Sequence, residues 1–131
     1  MIIIGPHILV ETKMKSVLVV EQSHIQRRML RIALATHNIP IIEAENGLKG
    51  FQMLNSKIKL VVCDLNTPII DGVEFLTRKS KTKFADIPVI MISTQQPPEL
   101  KELCYELGAK GWLTKPFSID DLIVTIESYF V

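Results

Sequence analysis

From residue 16 onward, the sequence alternates short, nearly continuous apolar runs with longer amphipathic segments. Apolar runs of this length, between turn residues, are typical of strands that helices cover on both faces. Their alternation with helical patterns predicts an α/β fold built on a parallel sheet. We expect five strands, at residues 17–20, 40–44, 60–63, 89–92 and 112–114.

Five helical patterns separate and follow these strands. The first is expected to begin after the N-cap Ser23, to end near Thr36 and to pack a regularly spaced apolar face on the core: Ile25, Met29, Ile32 and Ala33. The second follows Asn46 and ends near Ser56. The chain is therefore expected to consist of five βα units with short connections.

Capping residues and prolines mark the other three helices. The third opens at Asp71 or Gly72, and Ser118 caps the fifth. The fourth begins at Pro97-Pro98 and ends before Gly108, a typical residue just past a helix C-terminus. The expected core side chains of the fourth and fifth helices are Leu100, Leu103, Cys104, Leu107, Leu122, Ile123 and Ile126.

A domain of residues 16–131 has the usual size for a single core, and residues 1–15 form an extension of unknown role. The extension contains two short apolar segments that Gly5-Pro6 separates. No basic residue precedes the first segment, so a secretory signal is not expected. The extension could be a misassigned start, an added strand or a docking segment.

Composition excludes several classes of function. The 15 basic and 14 acidic side chains nearly cancel, which does not favour a nucleic-acid binder. The basic clusters on the first helix (Arg27, Arg28, Arg31) and near the fourth strand (Lys79, Lys81, Lys83) are interpreted as solvated surfaces. No apolar stretch approaches the roughly 20 residues of a membrane span. The two cysteines fit neither a disulfide framework nor a zinc site, so a cytoplasmic protein is expected.

Chemically useful side chains follow the predicted strands. The first strand ends in Glu21-Gln22, the third in Asp64 and the fourth in Ser93, while the fifth leads to Lys115. Ligands of doubly wound sheets bind at the carboxyl ends of the strands. The pattern thus predicts carboxylates, a hydroxyl and an ammonium group at one edge of the sheet.

These groups suit phosphoryl transfer to a carboxylate. Asp64 can act as the nucleophile and form an aspartyl phosphate, with Mg²⁺ held by the acidic cluster. Lys115 and Ser93 can pair with phosphoryl oxygens. A P-loop nucleotide site is not expected, because the sequence lacks its glycine-lysine motif.

Four segments carry a resemblance to a known family: VLVVEQS (17–23), VVCDLNTPIIDG (61–72), PVIMIS (88–93) and GAKGWLTKPF (108–117). They resemble the signature segments of response regulator receiver domains in two-component signalling, and EAENG (43–47) resembles the entry to that family's second helix. The resemblance covers residues 16–131. It implies a flavodoxin-like, doubly wound sheet of five parallel strands in the order 2-1-3-4-5 with five helices.

The resemblance also implies residue roles. Asp64 would be the phosphoacceptor and Lys115 the phosphate-pairing lysine, followed by a cis peptide bond to Pro116. Ser93 and Trp112 would be the switch hydroxyl and switch aromatic. The backbone carbonyl of Asn66 would join Glu21 and Asp64 around Mg²⁺. The residues expected to set the lifetime of the phosphoryl group are Asn66 and Gln95.

The sequence departs from the family pattern at Gln22, where a second acidic residue usually stands. An amide is a poorer ligand for Mg²⁺ than a carboxylate, although the longer Glu21 could reach inward to compensate. Two hypotheses follow: a working phosphorylation switch, or a degenerate receiver that acts by binding alone. A small phosphohydrolase is disfavoured, since it would usually need a second acid where Asn66 stands.

The implied partners are proteins. A sensor histidine kinase or a histidine phosphotransfer protein would donate the phosphoryl group. A downstream target would bind the surface of helix 4, strand 5 and helix 5. Direct binding of nucleic acid or membrane is not expected, while a homodimer is left open. The domain would be a signalling module rather than an enzyme, whether alone or cut from a larger protein.

Overall fold

The computed structural model describes residues 15–95 and 97–130. Residues 1–14 of the N-terminal extension, Gln96 and Val131 lie outside the described residues. The described chain alternates strands with helices throughout. The strands are β1 (Ser16–Val20), β2 (Ile41–Ala44), β3 (Ile58–Asp64), β4 (Val89–Ser93) and β5 (Ala109–Thr114).

The five strands form one parallel sheet in the order β2-β1-β3-β4-β5, as expected. Its register aligns the strands at their carboxyl ends: Val20 pairs with Ala44 on one side and Cys63 on the other, and Asp64 pairs with Ile92. The residues that follow β1, β3, β4 and β5 therefore meet at one edge.

Successive strand residues face opposite sides of the sheet and supply two hydrophobic cores. Leu18, Val61 and Met91 face one side, where Phe75 packs. Val19, Val62 and Ile90 face the other side. Because both faces are covered, nearly every residue of β1, β3 and β4 is buried. Cys63 is a buried free thiol within the first core, as the apolar run predicts.

The five helices are α1 (His24–Ala35), α2 (Gly47–Gln52), α3 (Gly72–Lys79), α4 (Pro98–Glu106) and α5 (Ile119–Glu127). Side-chain oxygens cap four of them by accepting a backbone N–H of the first turn: Ser23, Asn46, Asp71 and Ser118. Pro97 and Pro98 begin α4 instead. None of the described helices has the length and apolar character needed to cross a membrane.

The predicted core face of α1 is wrong except at Ala33, which packs against the second core. Ile25, Met29 and Ile32 are 69%, 48% and 58% exposed, while Leu30 and Leu34 are buried. Both sets have helical spacing, so periodicity alone does not choose between them. Tertiary contacts determine which face is buried, because α1 packs on the sheet face that also carries Leu122 and Ile126 of α5.

Three smaller expectations also differ from the structure. Leu103 on α4 is 41% exposed, since α4 turns Cys104 toward the sheet instead. Helix α2 ends at Gln52 rather than near Ser56, although the following Leu54 is buried. Strand β5 starts at Ala109 instead of 112, because Gly108, with φ of 111°, turns the chain directly from α4 into the sheet.

Lys79 is not part of a solvated surface. It is 2% exposed, and its ammonium group donates hydrogen bonds to the carbonyl oxygens of Ala85 (3.0 Å) and Ile87 (2.5 Å). These bonds tie the end of α3 to the loop that leads into β4. Burial lowers the pKa of Lys79 from 10.5 to about 8, despite the opposing effect of Asp86.

Lys79 should therefore make stability depend on pH. Between pH 8 and 10.5 the unfolded chain holds the proton of Lys79 more tightly than the folded chain does. The free energy of unfolding should thus rise with pH in this window, by at most about 3 kcal/mol. Urea unfolding of the wild type and of Lys79→Met across the window isolates this rise as the difference between the two curves. The exposed Lys81→Met is the control, and parallel wild-type and Lys79→Met curves would contradict the prediction.

Candidate functional site

The carboxyl ends of the strands bring four of the predicted side chains to one edge of the sheet. Asp64 ends β3, Ser93 ends β4, Glu21 directly follows β1, and Lys115 directly follows β5. The ammonium nitrogen of Lys115 lies 2.9 Å from Glu21 Oε1 and 2.5 Å from Asp64 Oδ2. One cation thus bridges two carboxylates that are far apart in the sequence.

Asp64 is 7% exposed and held by the backbone as well as by Lys115. Its Oδ1 accepts the N–H of Asn66 at 2.9 Å. Gly72, at the start of α3, packs against this segment: a Cβ there would lie 2.9 Å from Leu65 Cα and 3.0 Å from the Asp64 carbonyl oxygen. Glycine at position 72 therefore lets α3 begin directly beside the Asp64 backbone.

Glu21 is 3% exposed, and both of its carboxylate oxygens have partners. Oε1 accepts a hydrogen bond from Lys115, and Oε2 accepts one from the backbone N–H of Ser23 at 2.9 Å. The longer side chain of glutamate thus turns inward and reaches the same ammonium group as Asp64.

Lys115 is fixed by its backbone and its two partners. Its backbone N–H donates to the carbonyl oxygen of Ser93 at 2.7 Å, and its peptide bond to Pro116 is cis. Burial lowers the pKa of Lys115, but hydrogen bonds and charge attraction from Asp64 and Glu21 outweigh burial and raise it above its usual value. The ammonium group therefore stays charged at neutral pH and partly neutralises the two carboxylates.

Ser93 and Trp112 lie on the neighbouring strands β4 and β5. Ser93 is 1% exposed, and its Oγ accepts the backbone N–H of Gln95 at 3.0 Å, which leaves its hydroxyl proton for another acceptor. The indole nitrogen of Trp112 is buried and has no hydrogen-bond partner among the described residues. The ammonium group of Lys101 on α4 lies 6.0 Å from the Trp112 ring centre.

Gln22 is exposed, unlike Glu21 before it. The described residues contain no group of three histidine, cysteine, aspartate or glutamate side chains placed to hold a metal ion. Two carboxylates remain, Glu21 and Asp64, and the third predicted ligand is the backbone carbonyl of Asn66, two residues after Asp64. This oxygen-only set suits Mg²⁺, which is commonly bound by one or two carboxylates and otherwise by water and phosphate oxygens.

Arg27 was not predicted as a site residue, and its interpretation as part of a solvated surface is wrong. Its side chain is only 12% exposed and donates to the carbonyl oxygens of Glu21 (2.6 Å) and Gln22 (3.0 Å). The sequence offered one weak signal: Arg27 lies four residues after the N-cap Ser23, so it sits one turn into α1 near the strand–helix connection.

Comparison with known proteins supports a signalling class for this fold and site. The chemotaxis protein CheY4 of Vibrio cholerae superposes with a TM-score of 0.80 at 27% identity, over 88% of this chain and 98% of its own. The two-component response regulator ORR13 of Oryza sativa subsp. japonica is 30% identical over 109 residues, which are 81% of this chain and 90% of that protein. KdpE, the KDP operon transcriptional regulatory protein of Escherichia coli, is 34% identical over 110 residues, but this match covers only 48% of KdpE and 83% of this chain.

The family model of the response regulator receiver domain matches residues 17–127. The chain belongs to the response regulator receiver domain family, and it is therefore a signalling domain of two-component systems. Its sheet order and five helices are those of the CheY-like flavodoxin fold.

Proposed function

We propose that the domain accepts a phosphoryl group on Asp64. The observation that carries the proposal is Lys115, whose ammonium group bridges Asp64 and Glu21. An Asp64 oxygen would attack phosphorus, and the bond from phosphorus to the donor's leaving atom would break, with the electron pair going to the donor. Lys115 would then pair with an oxygen of the phosphoryl group rather than with the Asp64 oxygen it now contacts.

Glu21, Asp64 and the Asn66 carbonyl would hold Mg²⁺, which supplies positive charge to offset the phosphoryl oxygens. After pairing with Lys115, the two carboxylates keep a net charge of −1. This negative charge favours the binding of one divalent cation. Gln22 would contribute weakly or not at all, because its amide oxygen is neutral and its side chain is exposed. We therefore expect weak rather than absent binding of Mg²⁺.

Ser93 and Trp112 would turn phosphorylation into a change of surface. The Ser93 hydroxyl donates to no acceptor among the described residues, so its proton is available for a phosphoryl oxygen. Trp112, whose indole N–H lacks a partner among the described residues, would then repack between β5 and α4. A buried donor without an acceptor costs free energy, so a second arrangement that satisfies it is favoured once Ser93 moves.

The partners follow from this chemistry. The donor would be a sensor histidine kinase or a histidine phosphotransfer protein, and a downstream protein would bind the α4–β5–α5 surface around Trp112. Asn66 and Gln95 would set the lifetime of the phosphoryl group. Both are exposed, and their backbone N–H groups donate to Asp64 and Ser93 respectively, so both residues lie beside the site on its solvent-exposed side.

A second candidate is a degenerate receiver that binds partners without phosphorylation. The observation that favours it is Gln22, which removes one acidic ligand from the cation site. Under this hypothesis the Lys115 bridge serves only to neutralise Glu21 and Asp64, and the α4–β5–α5 surface is permanently in one state.

Beryllofluoride, a mimic of aspartyl phosphate, separates the two candidates. Titration with Mg²⁺ present should produce a saturable change in the fluorescence of Trp112, the single tryptophan. Asp64→Asn should abolish the change, whereas Asp71→Asn, which alters an exposed capping carboxylate, should preserve it. Gln22→Asp should lower the Mg²⁺ concentration at half-saturation about tenfold, equivalent to roughly 1.4 kcal/mol of binding free energy.

Acetyl phosphate provides a direct check by mass spectrometry. The wild type should gain the mass of one phosphoryl group, and Asp64→Asn should gain none. A flat fluorescence titration together with an unchanged mass would reject phosphorylation and favour the degenerate receiver. Recovery of both signals in Gln22→Asp would then identify that residue as the cause.

A further inference from the structure

Arg27 stabilises the connection between β1 and α1 through hydrogen bonds. Its Nη1 donates to the carbonyl oxygens of Glu21 at 2.6 Å and of Gln22 at 3.0 Å. Its Nε donates to Glu43 Oε1 on β2 at 3.3 Å. One guanidinium group thus holds two successive peptide groups and anchors them to the neighbouring strand. A planar group with several fixed donors is suited to this role.

The orientation of the Gln22–Ser23 peptide affects the position of the Glu21 carboxylate in the site. In a planar trans peptide the C=O and the next N–H point in opposite directions. Because Arg27 holds the Gln22 carbonyl, the Ser23 N–H points away from Arg27, and it donates to Glu21 Oε2 at 2.9 Å. The other oxygen of Glu21 contacts Lys115, which also contacts Asp64.

We propose that Arg27 is a positioning residue for the acceptor site. By fixing the Gln22–Ser23 peptide, it holds the Glu21 carboxylate beside Lys115 and so sets the surroundings of Asp64. Since Gln22 carries no charge, Glu21 is the single acidic side chain of the β1–α1 connection, and its orientation decides how that charge is presented. The effect on phosphoryl acceptance rests on the function proposed above; the effect on Glu21 does not.

Three variants separate positioning from general stability. Arg27→Gln removes the guanidinium group. Arg27→Lys keeps the charge but cannot serve both carbonyl oxygens and Glu43 together. Arg31→Gln is the matched control, because Arg31 also pairs with Glu43, at 2.8 Å, and has no described hydrogen bond to the β1–α1 connection. Urea midpoints of all three variants measure any general loss of stability.

The first readout needs neither metal nor phosphate. Hydrogen exchange of the Ser23 amide, followed by NMR in the free protein, should be about tenfold faster in Arg27→Gln and unchanged in Arg31→Gln. The amides of β3 should keep their protection in both variants. An unchanged Ser23 amide in Arg27→Gln would overturn the proposal.

The second readout is the beryllofluoride concentration that half-saturates the Trp112 signal. Arg27→Gln should raise it about tenfold, and Arg27→Lys should recover only part of this loss. In a Glu21→Gln background, Arg27→Gln should have no further effect, because both changes act through the same carboxylate. Additive losses, or full recovery by lysine, would overturn the positioning role. If the wild type responds neither to beryllofluoride nor to acetyl phosphate, the proposed function fails, and Ser23 exchange alone decides the role of Arg27.

Discussion

Lys115→Met is expected to lower the free energy of unfolding by about 3 kcal/mol at neutral pH. The Glu21 and Asp64 side chains are only 4% and 10% exposed, and the lysine is their shared cation. Without it, two like charges face each other in a poorly solvated site. Urea unfolding followed by circular dichroism measures the loss.

Two further variants test the cause of this loss. Lys110→Met removes an exposed lysine of β5 and should change stability by less than about 0.5 kcal/mol. The double variant Glu21→Gln/Lys115→Met removes one of the two repelling charges and should recover most of the lost stability. If Lys115→Met costs less than about 1 kcal/mol, or if the double variant is no better, the carboxylates are neutralised by other means.

Phe75→Ala should cost about 4 kcal/mol, because it leaves a large cavity in the core between α3 and the sheet. Phe75 is fully buried on α3. Gly50 of α2 lies against it: a Cβ at position 50 would be 3.5 Å from the Phe75 ring and 2.6 Å from Val20. Gly50, which has no side chain, thus leaves the space in which Val20 and the Phe75 ring pack. The urea midpoint measures the loss.

Ile25→Ala is the informative comparison for Phe75→Ala. Ile25 looks like a core residue by its spacing in α1, yet it is 69% exposed. Its truncation should change stability by about 0.5 kcal/mol or less. A loss above about 2 kcal/mol would mean that Ile25 is buried in solution and that the observed orientation of α1 is wrong.

Much of the fold could be predicted because the local signals agree with one another. Apolar runs such as 60–63 have no amphipathic alternative, and capping residues such as Ser23, Asp71 and Ser118 mark where helices begin. The strand order came from the resemblance instead. The candidate site was predictable because doubly wound sheets place strand ends at one edge, so Glu21, Asp64, Ser93 and Lys115 met as expected.

The errors in side-chain burial share a physical origin: each depends on contacts distant in sequence or on the path of one side chain. Two apolar faces of α1 have similar spacing, and only the position of α5 determines that Leu30 rather than Met29 is buried. Arg27 and Lys79 look like surface charges in sequence. Their charged groups donate to backbone carbonyl oxygens, and side-chain identities do not reveal such partners.

The site is assembled from segments made at very different times. Lys115 lies 51 residues beyond Asp64 and 94 beyond Glu21 in the sequence. A chain growing on a ribosome therefore displays the Asp64 carboxylate long before it has synthesised the lysine that pairs with it. Until β5 has emerged and joined β4, Asp64 has neither its cation nor the enclosing sheet edge. If Asp64 accepts a phosphoryl group as we propose, incomplete chains would compete poorly for the donor, and only completed domains would be phosphorylated.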